Sequence, residues 1–500
     1  MKMFPSAAHS SIAFSRICLA SLTIATVAAG SRSARAQSAG DTLTLVQAVQ
    51  LAQKQSSSAK IAIDTRDASR WRDKYFASRL LPQLSLTGDL PIYNRSIISV
   101  VQPDGSTLFL PQQQRTAALG LNLSQRLPFT GGDLFISSAL TNVNIAGAQD
   151  SKLWRSTPFQ VGIRQSLLRP NALRWDAREQ DLRIELTDRQ YLEAREDVAL
   201  QTTFLYFDVF AARANLTNAE ANSLVNDTLY TLNKGRYEVG KIGENDLLQS
   251  ELALLRSRTS LDQARLDFDR TSSALRIQLG LAPGFPLNVS VPAAVPSFTV
   301  DTAIAVQQAL RNRSQRPDLD LQEVQSKRRV NEARLNNGIG ATVSAAVGYN
   351  QSAQTLNSAF QSPLQSQQFS VNVTMPIVQW GGRHEQIEAA KADQHRVETQ
   401  AAATRQQTAQ EAHFAALQLE QAGRQLAISA KADTVGTKRF EVAKNRYVIG
   451  RIGIDNLYLA QNEKDQGLLQ YVQALRGYWD AYYRLRRLTL YDFEHSTPIR

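Results

Sequence analysis

Cys18 is the only cysteine in this 500-residue chain. It lies in the N-terminal stretch, so no disulfide framework and no cysteine metal cluster organises the rest. Histidine is nearly as scarce. Of five, His384, His395 and His413 share one helical stretch but lack the i, i+4 pairing of a helical metal site. There is no phosphate-cradling glycine loop and no nucleophile motif. The reading is therefore not an enzyme, with no catalytic residue, metal or cofactor. Past residue 36, no run is apolar enough to form a membrane helix. That excludes helical membrane spans and leaves open a closed ring of strands, which satisfies its own backbone polar groups.

The first 36 residues read as a secretory signal peptide. Lys2 and Arg16 supply positive charge, residues 17–30 are apolar, and Ala34-Arg35-Ala36 gives an A-x-A site for cleavage near Ala36. No small-residue pattern precedes Cys18, so a lipoprotein is not expected. The formal charge of +11 falls to roughly +7 without this segment. Acids and bases interleave, as in Arg178-Glu179-Gln180-Asp181, whereas a nucleic-acid footprint would be a clustered basic face. Nucleic acid is not an expected partner.

What the chain does have is a long internal repeat. Arg236-Tyr237-Glu238-Val239-Gly240-Lys241-Ile242-Gly243 returns as Arg446-Tyr447-Val448-Ile449-Gly450-Arg451-Ile452-Gly453, and Ala48-Val49-Gln50 with Ala52 returns as Ala305-Val306-Gln307 with Ala309. A repeat this long sets an architecture. The expected organisation is a signal at 1–36, a first structural repeat at 37–280, a linker at 281–300, a second repeat at 301–490 and a tail at 491–500.

Each repeat predicts three helical blocks: 41–79, 171–239 and 244–279, then 301–337, 383–449 and 454–490, with Pro317 marking a break. A block of nearly 70 residues spans about 100 Å, and two shorter blocks end to end match it. Leu247, Leu254, Leu261, Phe268 and Leu275 lie seven apart, as do Ile184, Tyr191, Val198, Leu205, Ala212 and Ala219. That period gives coiled-coil packing. In the second copy Lys464 interrupts the series Leu457, Tyr471, Tyr478, Leu485.

Between the helices the pattern alternates: Leu84/Leu86/Leu90, Leu119/Leu121/Leu123, a weaker run over 134–145, Phe159/Val161/Ile163/Leu167, Val343/Ala345/Val347/Tyr349 and Phe369/Val371/Val373/Met375. These predict roughly six strands, within 83–168 and 341–376. Long polar connections are expected at 102–114, 150–158 and 351–367, opposite a tight turn at 128–132. Six strands are too few to close a membrane barrel, so several chains would share one. Trp380, Phe129, Trp154 and Tyr349 fall near strand ends, as interfacial aromatics or as packing residues.

The paired Arg-Tyr-x-x-Gly turns, Met375-Pro376-Ile377-Val378-Gln379-Trp380-Gly381-Gly382-Arg383 and Arg316-Pro317-Asp318-Leu319 resemble the TolC-like outer membrane efflux proteins over essentially the whole mature chain. The resemblance implies a mainly α fold with a membrane β-barrel part. Long antiparallel coiled-coil helices would form a periplasmic α-barrel, and strands would join a shared trimeric outer-membrane β-barrel. It implies an exit duct of a tripartite efflux or type I secretion system, passive, in the cell outer membrane and reaching into the periplasm. The implied partners are two further copies of the chain, a periplasmic adaptor, an inner-membrane pump and outer membrane lipid. It places Arg236, Tyr237, Gly240, Gly243, Arg446, Tyr447, Gly450 and Gly453 at the periplasmic tip as adaptor-contact candidates. Glu244, Asp246, Asp455 and Asn456 are pore-aperture candidates, with helix capping as their alternative role. The family's second-half acids are replaced here at Asn456 and Leu459, and the 117–146 hairpin is extra, either widening the barrel or decorating a loop. The alternative reading is a secreted structural or adhesive coiled coil.

Overall fold

The computed structural model describes residues 42–147, 150–290, 295 and 298–500. The expected signal segment, with Cys18 and the site near Ala36, lies outside the described residues.

The first helical block is two helices, α1 (Leu45–Gln55) and α2 (Ser57–Ser78). Ser56 separates them: its backbone is extended (ψ 149°) and its hydroxyl accepts the Ala59 N–H at 3.1 Å. Next come α3 (Ala172–Glu238) and α4 (Glu244–Leu279). The second half runs α5 (Thr302–Asn312), α6 (Gln315–Asn336), α7 (Gly382–Val448) and α8 (Ile454–Thr489). The break expected at Pro317 comes earlier, at Arg313, again extended (ψ 151°). Pro317 occupies the first turn of α6, where an N–H would have no intrahelical acceptor. Corresponding helices have equal lengths of 11, 22, 67 and 36 residues. At 1.5 Å per residue, α3 and α7 each extend about 100 Å.

The short helices abut the breaks. α4 ends at Gly280 (φ +67°), where an added Cβ would stand 3.0 Å from the Gln55 carbonyl oxygen. α8 ends at Leu490 (φ +46°), and Asn312 Nδ2 donates to the Thr489 carbonyl at 3.1 Å. The main core gathers around these two junctions. Tyr206, Phe207, Leu275, Leu279, Trp479, Tyr482 and Tyr483 are buried there, with the Tyr482 and Tyr483 rings edge to face at 5.1 Å. The buried Glu196 carboxylate is satisfied by Arg486 Nε at 3.2 Å, and Arg486 also donates to Asp492 at 2.9 Å. That pairing fixes the C-terminal segment, a small hairpin of β7 (Tyr491–Asp492) and β8 (Thr497–Pro498).

The six strands form one antiparallel sheet in chain order: β1 (Gln83–Val101), β2 (Thr107–Arg126), β3 (Asp133–Ala146), β4 (Ser151–Leu167), β5 (Gly340–Ala353) and β6 (Leu364–Thr374). The weak 134–145 run is a full strand, and the extra hairpin is part of the sheet. Two expected long connections are largely strand. Residues 107–114 belong to β2 and residues 151–158 to β4. Loop length therefore does not orient the sheet; the helices do, all four joining it at the end where the 127–132 turn lies.

The register aligns the apolar positions on one face. Leu84 pairs with Leu123 and Leu86 with Leu121. Leu123 pairs with Ile136, Ile136 with Val161, Val161 with Val347 and Ala345 with Phe369. The band moves toward the helices from β1 to β6 by about one residue per strand. One residue of rise, about 3.3 Å, per strand spacing of about 4.8 Å corresponds to a tilt of roughly 35°, which is the tilt of barrel strands. β1 and β6 leave their outer edges unpaired in a single chain.

Candidate functional site

The paired turns end α3 and α7 in the same way. Gly240 (φ +72°) and Gly450 (φ +74°) take the left-handed conformation that L side chains resist. Gly240 N–H donates to the Tyr237 carbonyl and Lys241 N–H to the Arg236 carbonyl, both at 2.8 Å. The pairs Gly450 to Tyr447 and Arg451 to Arg446, both at 2.9 Å, repeat this Schellman closure. Gly243 and Gly453 are the N-caps of α4 and α8, both extended and without a side-chain cap. Glu244 and Asp246 fall in the first turn of α4 and Asp455 in that of α8, where the helix dipole favours negative charge.

The structure joins the two turns through a few contacts. Arg236 Nη2 donates to the Val448 carbonyl at 2.9 Å, and its guanidinium lies 5.3 Å from the centre of the Tyr447 ring. The Tyr447 hydroxyl donates to Asn233 Oδ1 at 2.7 Å. Gln249 Nε2 donates to Asp455 Oδ1 at 2.8 Å, linking α4 to α8. Tyr447 is 5% exposed, whereas its counterpart Tyr237 is 42% exposed. Arg446, Glu244 and Asn456 are exposed, and Asp246 is half-buried. Behind the turns, Leu229, Phe440, Tyr447, Ile454, Leu457 and Ala460 form a small apolar cluster. Burial, and the nearby Tyr447 hydroxyl, push the Tyr458 phenol up to about 12.

A polar seam beyond that cluster had no place in the sequence reading. Lys464, seen only as a gap in a heptad, donates to Asn222 Oδ1 at 3.0 Å and stands 4.8 Å from the centre of the Phe440 ring. Asn218 and Asn222 both donate to Asp465, at 2.8 and 3.0 Å. The seam opens into a cavity of about 470 Å³ between α3, α4 and α8, lined by Asn218, Asn222, Asn226, Tyr458, Gln461 and Asp465. The available signal was the asparagine stripe at 215, 218, 222 and 226, which holds one helix face. Away from the turns, Asp492, Glu494 and His495 are the one trio of histidine and acids among the described residues whose ligand atoms converge, within 4.8 Å. Arg486 already occupies Asp492.

No family model and no curated protein matches the sequence. Solved structures do match the fold. The Campylobacter jejuni outer membrane channel CmeC aligns with a TM-score of 0.64 at 17% identity, over 91% of this chain and 86% of that one. The outer membrane protein VceC of Vibrio cholerae gives 0.64 at 14%, over 91% and 97%. The open state of the Neisseria gonorrhoeae channel MtrE gives 0.59 at 14%, over 89% and 88%. At these identities the likeness is one of fold, and the chain has the TolC-like outer membrane channel fold.

Proposed function

We propose that this chain is the outer membrane exit duct of a tripartite efflux or type I secretion system. The observation that carries this reading is the apolar band along one face of a tilted sheet, joined at one end to helices about 100 Å long. A secreted rod has no use for such a band. Three copies, pairing the free β6 edge of one with the free β1 edge of the next, would close an eighteen-strand barrel and leave no edge facing lipid. Counting one long helix and one stacked pair from each half, three copies would set twelve rods around the tunnel. The equal helix lengths support descent of the two halves from one duplicated unit.

The two turns form the periplasmic tip in this reading. Both hairpins offer apolar surface to the adaptor: Tyr237, Val239 and Leu248 on the first and Val448, Ile449 and Leu459 on the second are large and exposed. Arg236, Tyr447 and Asn233 hold the second hairpin against α3, and Glu244, Asp455 and Asn456 line the aperture. Transport is passive, driven by the inner-membrane pump. The test is migration of the protein from an outer-membrane fraction. Unheated samples are expected to run as a trimer that collapses to a single chain on boiling. A water-soluble monomer would overturn the proposal.

A further inference from the structure

The eight charged side chains of β1–β6 divide by face. Asp89, Arg126, Asp133, Arg155 and Arg164 fall opposite the apolar band, since Asp89 pairs with Ala118, Arg126 with Asp133, Asp133 with Arg164 and Thr141 with Arg155. Arg95, Arg115 and Lys152 fall on the band's own face: Arg95 pairs with Gln113, Tyr93 with Arg115, Arg115 with Asn144 and Asn144 with Lys152. All three are exposed cations. All three lie past the band on the side away from the helices, and β1 and β2 run on beyond them with Ile97, Phe109 and Val101 exposed on the same face. No acid in the strands shares that face. Asp150, next but one to Lys152, accepts from the Gly147 N–H at 3.1 Å.

The aromatics give a second, independent ordering. Moving away from the helices, Tyr93 comes two residues before Arg95 on β1, and Trp154 two residues before Lys152 on β4. A separation of two keeps ring and cation on one face. The Arg115 guanidinium lies 5.9 Å from the centre of the Tyr93 ring. Apolar band, then ring, then cation is the order in which a bilayer presents hydrocarbon, interface and phosphate.

We infer that Arg95, Arg115 and Lys152, backed by Tyr93 and Trp154, form an outward strip that docks net-anionic phosphate headgroups of outer-leaflet lipid. This rests on the membrane-wall reading above. The five charges on the opposite face are of mixed sign and would line the lumen, where they have no lipid to meet.

The test reconstitutes the full-length protein in vesicles of phosphatidylcholine mixed with phosphatidylglycerol, and measures the lipid retained after mild detergent extraction. The native protein is expected to retain phosphatidylglycerol preferentially, by roughly fivefold per cation near the surface. The triple variant Arg95→Gln/Arg115→Gln/Lys152→Gln is expected to lose that preference while inserting normally into pure phosphatidylcholine. Arg155→Gln, on the lumenal face, is expected to keep it. Added salt should weaken the native preference. An inserted triple variant that still selects phosphatidylglycerol overturns the strip alone. A native protein that enters neither kind of vesicle overturns the strip and the barrel reading together.

Discussion

The two hairpins, α3–α4 and α7–α8, share helix lengths and turn geometry, yet they bury different things. At equivalent positions the first has exposed Glu244 and exposed Tyr237; the second has buried Ile454 and buried Tyr447. Leu254, buried in the first, is replaced by the seam cation Lys464 in the second. The difference teaches that the backbone design is common to both while the side chains give each hairpin its own packing. The second tip is tucked against α3 through Leu229 and Asn233, while the first leaves Tyr237 exposed; both keep apolar residues at the surface, Val239 in the first and Ile449 in the second.

The sharpest test of that asymmetry is truncation. Leu457→Ala removes a fully buried side chain from the tip cluster and is expected to cost about 3 kcal/mol. Leu247→Ala, its half-buried counterpart, is expected to cost under about 1 kcal/mol. Denaturant unfolding of the purified protein compares the two, and equal losses would erase the distinction. Lys464→Met comes next. It strips the cation from Asn222 and Asp465, at about 2 kcal/mol for lost hydrogen bonds to charged groups. Adding Asp465→Asn should recover part of that loss; strict additivity in the double-mutant cycle would show that the seam is not coupled.

One comparison should fail to distinguish the hairpins. Gly240→Ala and Gly450→Ala both force a Cβ into a left-handed conformation, each costing about 1–2 kcal/mol. Nothing lies within 4 Å of the added Cβ at either site, so backbone strain alone sets the cost. Unequal melting shifts would mean that one turn is relaxed by contacts the other lacks. Tyr447→Phe against Tyr237→Phe separates the hairpins again. Only Tyr447 has its hydroxyl tied down, to the buried Asn233, so about 1 kcal/mol is expected there and little at Tyr237. Amide hydrogen exchange near the second turn is the readout.

Helix extents were legible in the sequence because their punctuation is local. Glycine at 240, 243, 280, 450 and 453 and asparagine at 171 mark the helix ends within two residues. The break at Ser56 was not legible, and the one at Arg313 was read four residues late, at Pro317. Neither residue forbids a helix; what breaks the chain there is the end of α4 or α8 arriving from the side. Strand count and apolar faces followed from alternation, but where strand gives way to loop did not. Residues 107–114 break the alternation, with Leu108-Phe109-Leu110 in a run, then Pro111 and three glutamines, and pairing with β1 makes them strand. The turns were visible as paired motifs. Their unequal burial was not, because Arg-Tyr-x-x-Gly is the same string in both and only tertiary packing selects Tyr447 over Tyr237.

The smallest expected effect is also specific to the second hairpin. Asp433 on α7 faces the close crossing with α8, where a Cβ added to Gly467 would stand 3.3 Å from the Asp433 Cα. Burial raises the Asp433 pKa above the ordinary carboxylate value, and Lys464 offsets this only in part. A folded-state pKa above the unfolded one means that the ionised form is penalised in the fold. The penalty is present at neutral pH and is relieved as the pH falls through the folded pKa. The second hairpin should therefore tighten slightly on mild acidification, above the range where ordinary carboxylates titrate. Asp433→Asn should stabilise it at neutral pH by under about 1 kcal/mol, since the group is partly exposed, and should abolish that pH slope. The equivalent position in the first hairpin is Ser223, which does not titrate. Hydrogen exchange followed across the acidic range should show the slope in α7–α8 and none from this position in α3–α4. A slope that persists in Asp433→Asn would assign it to another carboxylate.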